Sequence, residues 1–167
     1  MHILFSVMKM MKNGKWKTYL FWIVLTEAVG GLSALLTRKG MEIYNATVVK
    51  PPLSPPMIVF PIVWAILYAL MAVAVSRTQL KGENALQEKC LLIYIFQLGF
   101  NFCWSIFFFN LQAFGFSFVW LMVLWALIIW MILTFRKADK AAAWLLVPYL
   151  LWVTFAAYLN AGVYLLN

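Results

Sequence analysis

Apolar positions fall in five long runs, near residues 18–37, 56–76, 90–110, 113–135 and 141–166. Each is separated from the next by a polar or basic segment. About 20 consecutive apolar residues are what an α-helix needs to cross ~30 Å of hydrocarbon. The pattern therefore predicts an all-α polytopic membrane protein, a bundle of five transmembrane helices in one domain over 18–167. Continuous runs, rather than strict alternation, exclude a membrane β-barrel. Short connections make sequential helices antiparallel neighbours. The exception is the connection at 38–55, in which MEIYNAT (41–47) has the makings of a short separate helix before an extended proline segment. A basic segment, 1–17, precedes the first run. That run is too long for most cleaved signal peptides and contains Glu27, so it reads as a retained helix.

The long connection ends in KPPLSPP, with prolines at 51, 52, 55 and 56. Proline fixes φ and removes an amide donor, so this stretch is stiff and non-helical. It leads directly into a helix bearing Phe60, Trp64 and Tyr68 at i, i+4 and i+8, close to one face. A rigid loop joined to an aromatic stripe suggests a ligand pocket closed by a lid that includes Pro51, Pro55 and Pro56.

Two further runs place polar groups where hydrocarbon makes them costly. In the third, Gln97, Asn101, Trp104 and Phe108 share one face at i, i+4, i+7 and i+11. In the fifth, Tyr149, Trp152, Ala156 and Asn160 share one face at i, i+3, i+7 and i+11. Amides in a bilayer require partners, so these faces turn inward. They serve either as interhelical hydrogen-bond glue or as the lining of an apolar cavity with a few polar groups, the usual form of a site for hydrophobic ligands. Pro148 predicts a kink in the fifth helix or its effective start. Glu27, near the middle of the first run, must be neutral or paired at that depth, which makes it a candidate proton or partner site. The adjoining GGLS (30–33) permits close helix approach.

Composition agrees with this reading. The chain is 66% hydrophobic and only 11% charged, where a soluble domain is about a quarter charged. Its +8 net charge does not indicate nucleic acid, because the Lys and Arg residues are confined to the segments between apolar runs. Lys9, Lys12, Lys15, Lys17, Arg77, Lys81, Lys89, Arg136, Lys137 and Lys140 fall on one side, against Arg38, Lys39 and Lys50 on the other. In a bacterial cell membrane that bias puts the N-terminus in the cytoplasm. His2 is the single histidine and lies at the terminus, which excludes a Ser-His-Asp hydrolase and leaves no basis for a histidine metal site. Cys90 and Cys103 lie on one helix about 20 Å apart, too far for a disulfide. Trp120 and Trp130 of the fourth run are expected at lipid-facing or interfacial positions.

The motifs resemble those of the TspO/MBR family of translocator and tryptophan-rich sensory proteins. KPPLSPPMIVFPIVWAILY is similar to its proline-rich loop and second helix, and QLGFNFCWSIFFFN to its third-helix signature. VPYLLWVTFAAYLNAGVYLLN is similar to its fifth-helix signature, and GGLSALLT to its first-helix motif. Leu53 stands where the family usually has an aromatic residue. The resemblance implies five transmembrane helices, commonly as a homodimer, with a pocket beneath the first loop. It implies binding of protoporphyrin or a haem-like tetrapyrrole, with no cofactor required, and sensing or regulation of porphyrin. Carried over by motif, the pocket residues are Trp64, Asn101, Trp104 and Trp152. Trp64 and Trp152 are also catalytic candidates, since some members are reported to degrade porphyrin in light. A transporter of porphyrin- or sterol-like ligands is the third function the resemblance allows. No GxxxxGK[ST] nucleotide motif is present.

Overall fold

The computed structural model describes residues 14–81 and 83–167, so most of the basic segment expected over 1–17, with His2, lies outside the described residues. The elements are α1 (Lys15–Thr47), α2 (Val59–Lys81), α3 (Asn84–Ser105), α4 (Phe114–Ala138), α5 (Lys140–Leu145) and α6 (Val147–Leu166). A π-helical turn, Ile106–Asn110, extends α3. Among the described residues five helical spans are long and apolar enough to cross a membrane, with α5 and α6 together forming the fifth. The five expected spans are all present, and no strand occurs among the described residues.

Boundaries around the first two connections differ from expectation. MEIYNAT is the end of α1, not a separate helix, so the first connection shrinks from 38–55 to 48–58. At 33 residues, α1 is about 50 Å long, well beyond a ~30 Å core. Its far end is held by packing: Tyr44 lies edge-on to Phe109 at 5.4 Å, and Asn110 Nδ2 donates to the Leu36 carbonyl at 3.0 Å. Next, α3 starts at Asn84 rather than near 90, because Gln79 and Gln87 exchange side-chain-to-carbonyl bonds of 3.0 and 2.8 Å across the α2–α3 connection. Finally, Pro148 acts in both of the ways proposed for it. The fifth span breaks at Leu146, and the proline sits in the first turn of α6, where its missing N–H costs nothing.

The bundle is polar-seamed inside and apolar outside. Facing inward, α1 buries Thr18, Trp22, Thr26, Ser33, Thr37 and Gly40. Leu32, Leu35 and Leu36 are exposed on its outer side, as lipid requires. Met71, Val75, Tyr94, Ile128, Phe135 and Val153 fill the centre. At the basic end, Arg77 Nε donates to Asp139 at 2.6 Å and Lys81 Nζ lies 3.5 Å away. Asp139 also caps α5 by accepting from the Ala141 amide. Partial burial opposes its charge, but the Arg77 and Ala141 hydrogen bonds prevail and hold the carboxyl below the usual carboxylate range. Trp130 is exposed to lipid, as expected. Trp120 is not simply lipid-facing: it stacks on Phe100 at 4.4 Å and donates to the Phe100 carbonyl.

Candidate functional site

Toward the loop end, the inward faces of α1, α2, α3 and α6 separate and leave a two-lobed cavity. The lobe of about 100 Å³ is bounded by Gly30, Ser33 and Thr37 of α1, Trp64 and Tyr68 of α2, and Trp152 of α6. The lobe of about 40 Å³ lies nearer the loop, against Tyr44, Met57, Phe108, Leu159 and Asn160. Met41, Phe60, Trp104, Phe109 and Ala156 border both lobes. Ring contacts fix the walls. Trp64 meets Tyr68 at 5.4 Å and Tyr149 at 6.1 Å, Trp104 stacks on Phe108 at 5.1 Å, and Phe60 meets Trp152 edge-on at 5.9 Å. Trp104 is also pinned by its N–H, which donates to Asn160 Oδ1 at 3.2 Å. The Asn160 amide in turn donates to the Phe114 carbonyl.

The floor of the cavity is a sealed polar layer. Tyr68 donates to Asn101 Oδ1 at 3.0 Å, and Asn101 Nδ2 donates to the Tyr149 hydroxyl at 2.8 Å. Tyr149 donates to Gln97 Oε1 at 3.0 Å, and Gln97 Nε2 reaches Met71 Sδ at 3.8 Å. Asn101, Gln97 and Tyr149 are fully buried here and do not border the cavity; only Tyr68 belongs to both layer and cavity. A second link, between the hydroxyls of Thr26 and Tyr94, joins α1 to α3.

The roof is the 48–58 loop, held on the end of α6. The Asn167 side chain accepts from the Val49 amide and donates to its carbonyl, both at 3.0 Å. The Tyr158 hydroxyl donates to the Pro52 carbonyl at 3.0 Å. Pro51 is buried against Gly162, where a Cβ would lie 2.5 Å from the proline ring. Leu53 turns the chain with φ at 66°, in the left-handed region. Pro55 and Pro56 touch neither lobe; the loop's contribution to the lining is Met57.

Of the residues singled out in the sequence, Trp64, Tyr68, Trp104, Phe108, Trp152, Ala156 and Asn160 border the cavity. Gln97, Asn101 and Tyr149 stand behind it. Glu27 is half-buried on α1, one turn before Gly30, with no ion pair among the described residues. The α1 wall of Ser33, Thr37, Met41 and Tyr44 was not anticipated. Its signal is the i, i+4 recurrence of small polar residues in an otherwise apolar run: Ser33 and Thr37, in register with Thr18, Trp22 and Thr26. The arrangement presents apolar ring faces to the cavity and few polar groups. No cluster of metal-ligating side chains occurs among the described residues.

Comparison with known proteins gives a consistent picture. The TspO/MBR family profile matches residues 22–166. The chain is 37% identical over 146 residues to a tryptophan-rich protein TspO of Chlorobaculum tepidum, covering 87% of this chain and 92% of that one. It is 35% identical over 156 residues to a tryptophan-rich sensory protein of Cereibacter sphaeroides, covering 93% and 94%. To a translocator protein of Ovis aries it is 32% identical over 119 residues, 70% of each chain.

Proposed function

Because the chain belongs to the TspO/MBR family of multi-pass membrane proteins, we propose that its cavity binds a protoporphyrin-type tetrapyrrole and that the protein senses or regulates porphyrin. The observation supporting this most directly is the convergence of Trp64, Trp104 and Trp152 on one cavity beneath a proline-rich roof. Indoles offer flat apolar faces with N–H edges, which suit a large aromatic ring. At about 100 and 40 Å³, the lobes are below the ~300 Å³ of small-ligand pockets. Binding a tetrapyrrole therefore requires the walls to part. The basic asymmetry supports an N-terminus on the cytoplasmic side, with the 48–58 loop on the far side.

The test is a titration of purified protein with protoporphyrin in darkness, following porphyrin absorption and tryptophan quenching. Saturable one-site binding is expected, and its absence would remove the proposal. A second reading, light-dependent porphyrin degradation, is favoured by the contact of Trp64 with two phenols, Tyr68 and Tyr149. In this reading Trp64, on the cavity wall, gives an electron to the photoexcited porphyrin and dioxygen is the terminal oxidant. Illumination of the complex then yields a new absorption spectrum under this reading, and an unchanged one if the protein only binds.

A further inference from the structure

On the outer side of the bundle, the seam between α2 and α6 forms a shallow apolar groove, open to the lipid. Val63, Ile66 and Leu67 line it from α2, and Pro148, Leu151 and Trp152 from α6. Trp152 also borders the inner cavity, and is the one residue common to the two linings. We propose that the cavity is loaded from within the bilayer through this groove, and that Trp152 is the partition that swings aside to admit a planar apolar ligand. The proposal rests on the reading above for the ligand's identity, but not for the route.

The ways in differ in what holds them shut. Lifting the roof breaks three hydrogen bonds, two at Asn167 and one at Tyr158, and pulls Pro51 out of its notch on Gly162. Displacing Trp152 breaks no hydrogen bond; it gives up ring contacts with Phe60 at 5.9 Å and Phe155 at 5.7 Å and its packing on the core edge. Its indole N–H makes no hydrogen bond among the described residues. The N–H groups of Trp104, Trp120 and Trp125 are by contrast each tied to an oxygen. The break at Leu146 places Pro148 in the first turn of α6 and on the groove wall, beside the short α5 rather than within one continuous helix. A planar apolar molecule concentrates in the bilayer, so the groove meets it where it is most abundant. The rival lateral seam lies between α1 and α2, where Ala34 and Pro61 border the cavity and are exposed.

The test follows access to the cavity with a thiol reagent, so its outcome does not depend on porphyrin binding. With Cys90 and Cys103 replaced by alanine, Ala156→Cys places one thiol on the cavity wall of full-length protein in phosphatidylcholine vesicles. N-phenylmaleimide dissolved in the bilayer should label it about tenfold or more faster than a charged, water-soluble thiosulfonate. Filling the groove from either helix, with Ile66→Trp or Leu151→Trp, should slow bilayer labelling about tenfold, and Trp152→Ala should speed it by a similar factor. Ala34→Trp should leave the rate within about twofold. Ser33→Cys, on the opposite wall, repeats the measurement, and helical circular dichroism confirms that each variant is folded. Labelling slowed by Ala34→Trp but by neither groove variant would assign entry to the α1–α2 seam. Equal rates for the two reagents would assign it to the roof. No effect of Trp152→Ala would end the role of that indole as a partition. If the route holds but protoporphyrin fails to bind, only the ligand assignment falls.

Discussion

Removing the Asn101 amide tests whether the polar layer beneath the cavity is structural. In Asn101→Leu the volume is roughly kept, but the Tyr68 hydroxyl loses its acceptor and Tyr149 loses one of its two bonds, since it still donates to Gln97. Both phenols are buried, at 6% and 0% exposure, so water cannot replace what is lost. A buried group left without its partner costs about 1–3 kcal/mol, and a single interhelical hydrogen bond in a membrane protein averages about 0.6 kcal/mol. The variant should therefore lose about 2–3 kcal/mol. Adding Tyr68→Phe to it should recover about 1–2 kcal/mol, because deleting both partners removes the orphan. Tyr68→Phe alone should destabilise. Reversible unfolding of the four proteins in mixed micelles gives the coupling energy directly. Equal costs for Tyr68→Phe in both backgrounds would refute the layer as described. If the double variant regains its stability but binds protoporphyrin tenfold more weakly than Tyr68→Phe alone, Asn101 contacts the ligand and the floor lies deeper.

Trp64→Ala and Trp152→Ala should each weaken protoporphyrin binding about 5–150-fold, from roughly 1–3 kcal/mol of lost ring contact. Trp130→Ala, at a lipid-exposed ring, should not weaken it; fluorescence titration in darkness decides. Gly30→Ala puts a methyl 2.2 Å from the Tyr68 ring, so it should cost about 1–3 kcal/mol and lower the melting temperature. The Asp139 carboxyl is held below its unfolded value of about 3.9, so its stabilisation is complete above that pH and is lost as pH falls through the folded value. Asp139→Asn should then be less stable at pH 7 and show a flatter acid melting profile than the parent. Glu27→Gln should unfold within about 1 kcal/mol of the parent, since the amide keeps size and hydrogen-bonding capacity; a much larger loss would reveal an ionised partner.

The five spans were legible because hydrocarbon length imposes a simple rule on the chain. The far end of α1 was not, because the polar stretch before and within MEIYNAT reads as a break followed by a short separate helix, whereas the helix runs on and Tyr44 packs against Phe109, 65 residues away in sequence. The cavity was half legible for a similar reason. Periodicity gives the face of a helix a residue occupies, and Gln97, Asn101, Trp104 and Phe108 do share one. It gives no account of where, along that face, neighbouring helices meet. Tyr68, Asn101 and Tyr149 sit where α2, α3 and α6 converge and close on one another. One to three turns nearer the loop, the same faces part, and Trp64, Trp104, Trp152 and Asn160 look into space.

The uninterrupted α1 has a mechanical consequence. It runs as one rod from the basic end, past the polar layer at Gly30, to Tyr44 beneath the roof. From Gly30 to Tyr44 is about 21 Å of helix, so a tilt of roughly 5° pivoting there would carry Tyr44 by about 2 Å. With Gly30 seated on the Tyr68 ring as a fulcrum, a small displacement at the Lys15 end becomes a change of cavity width on the opposite side of the membrane. The first helix is thus a lever as well as a wall.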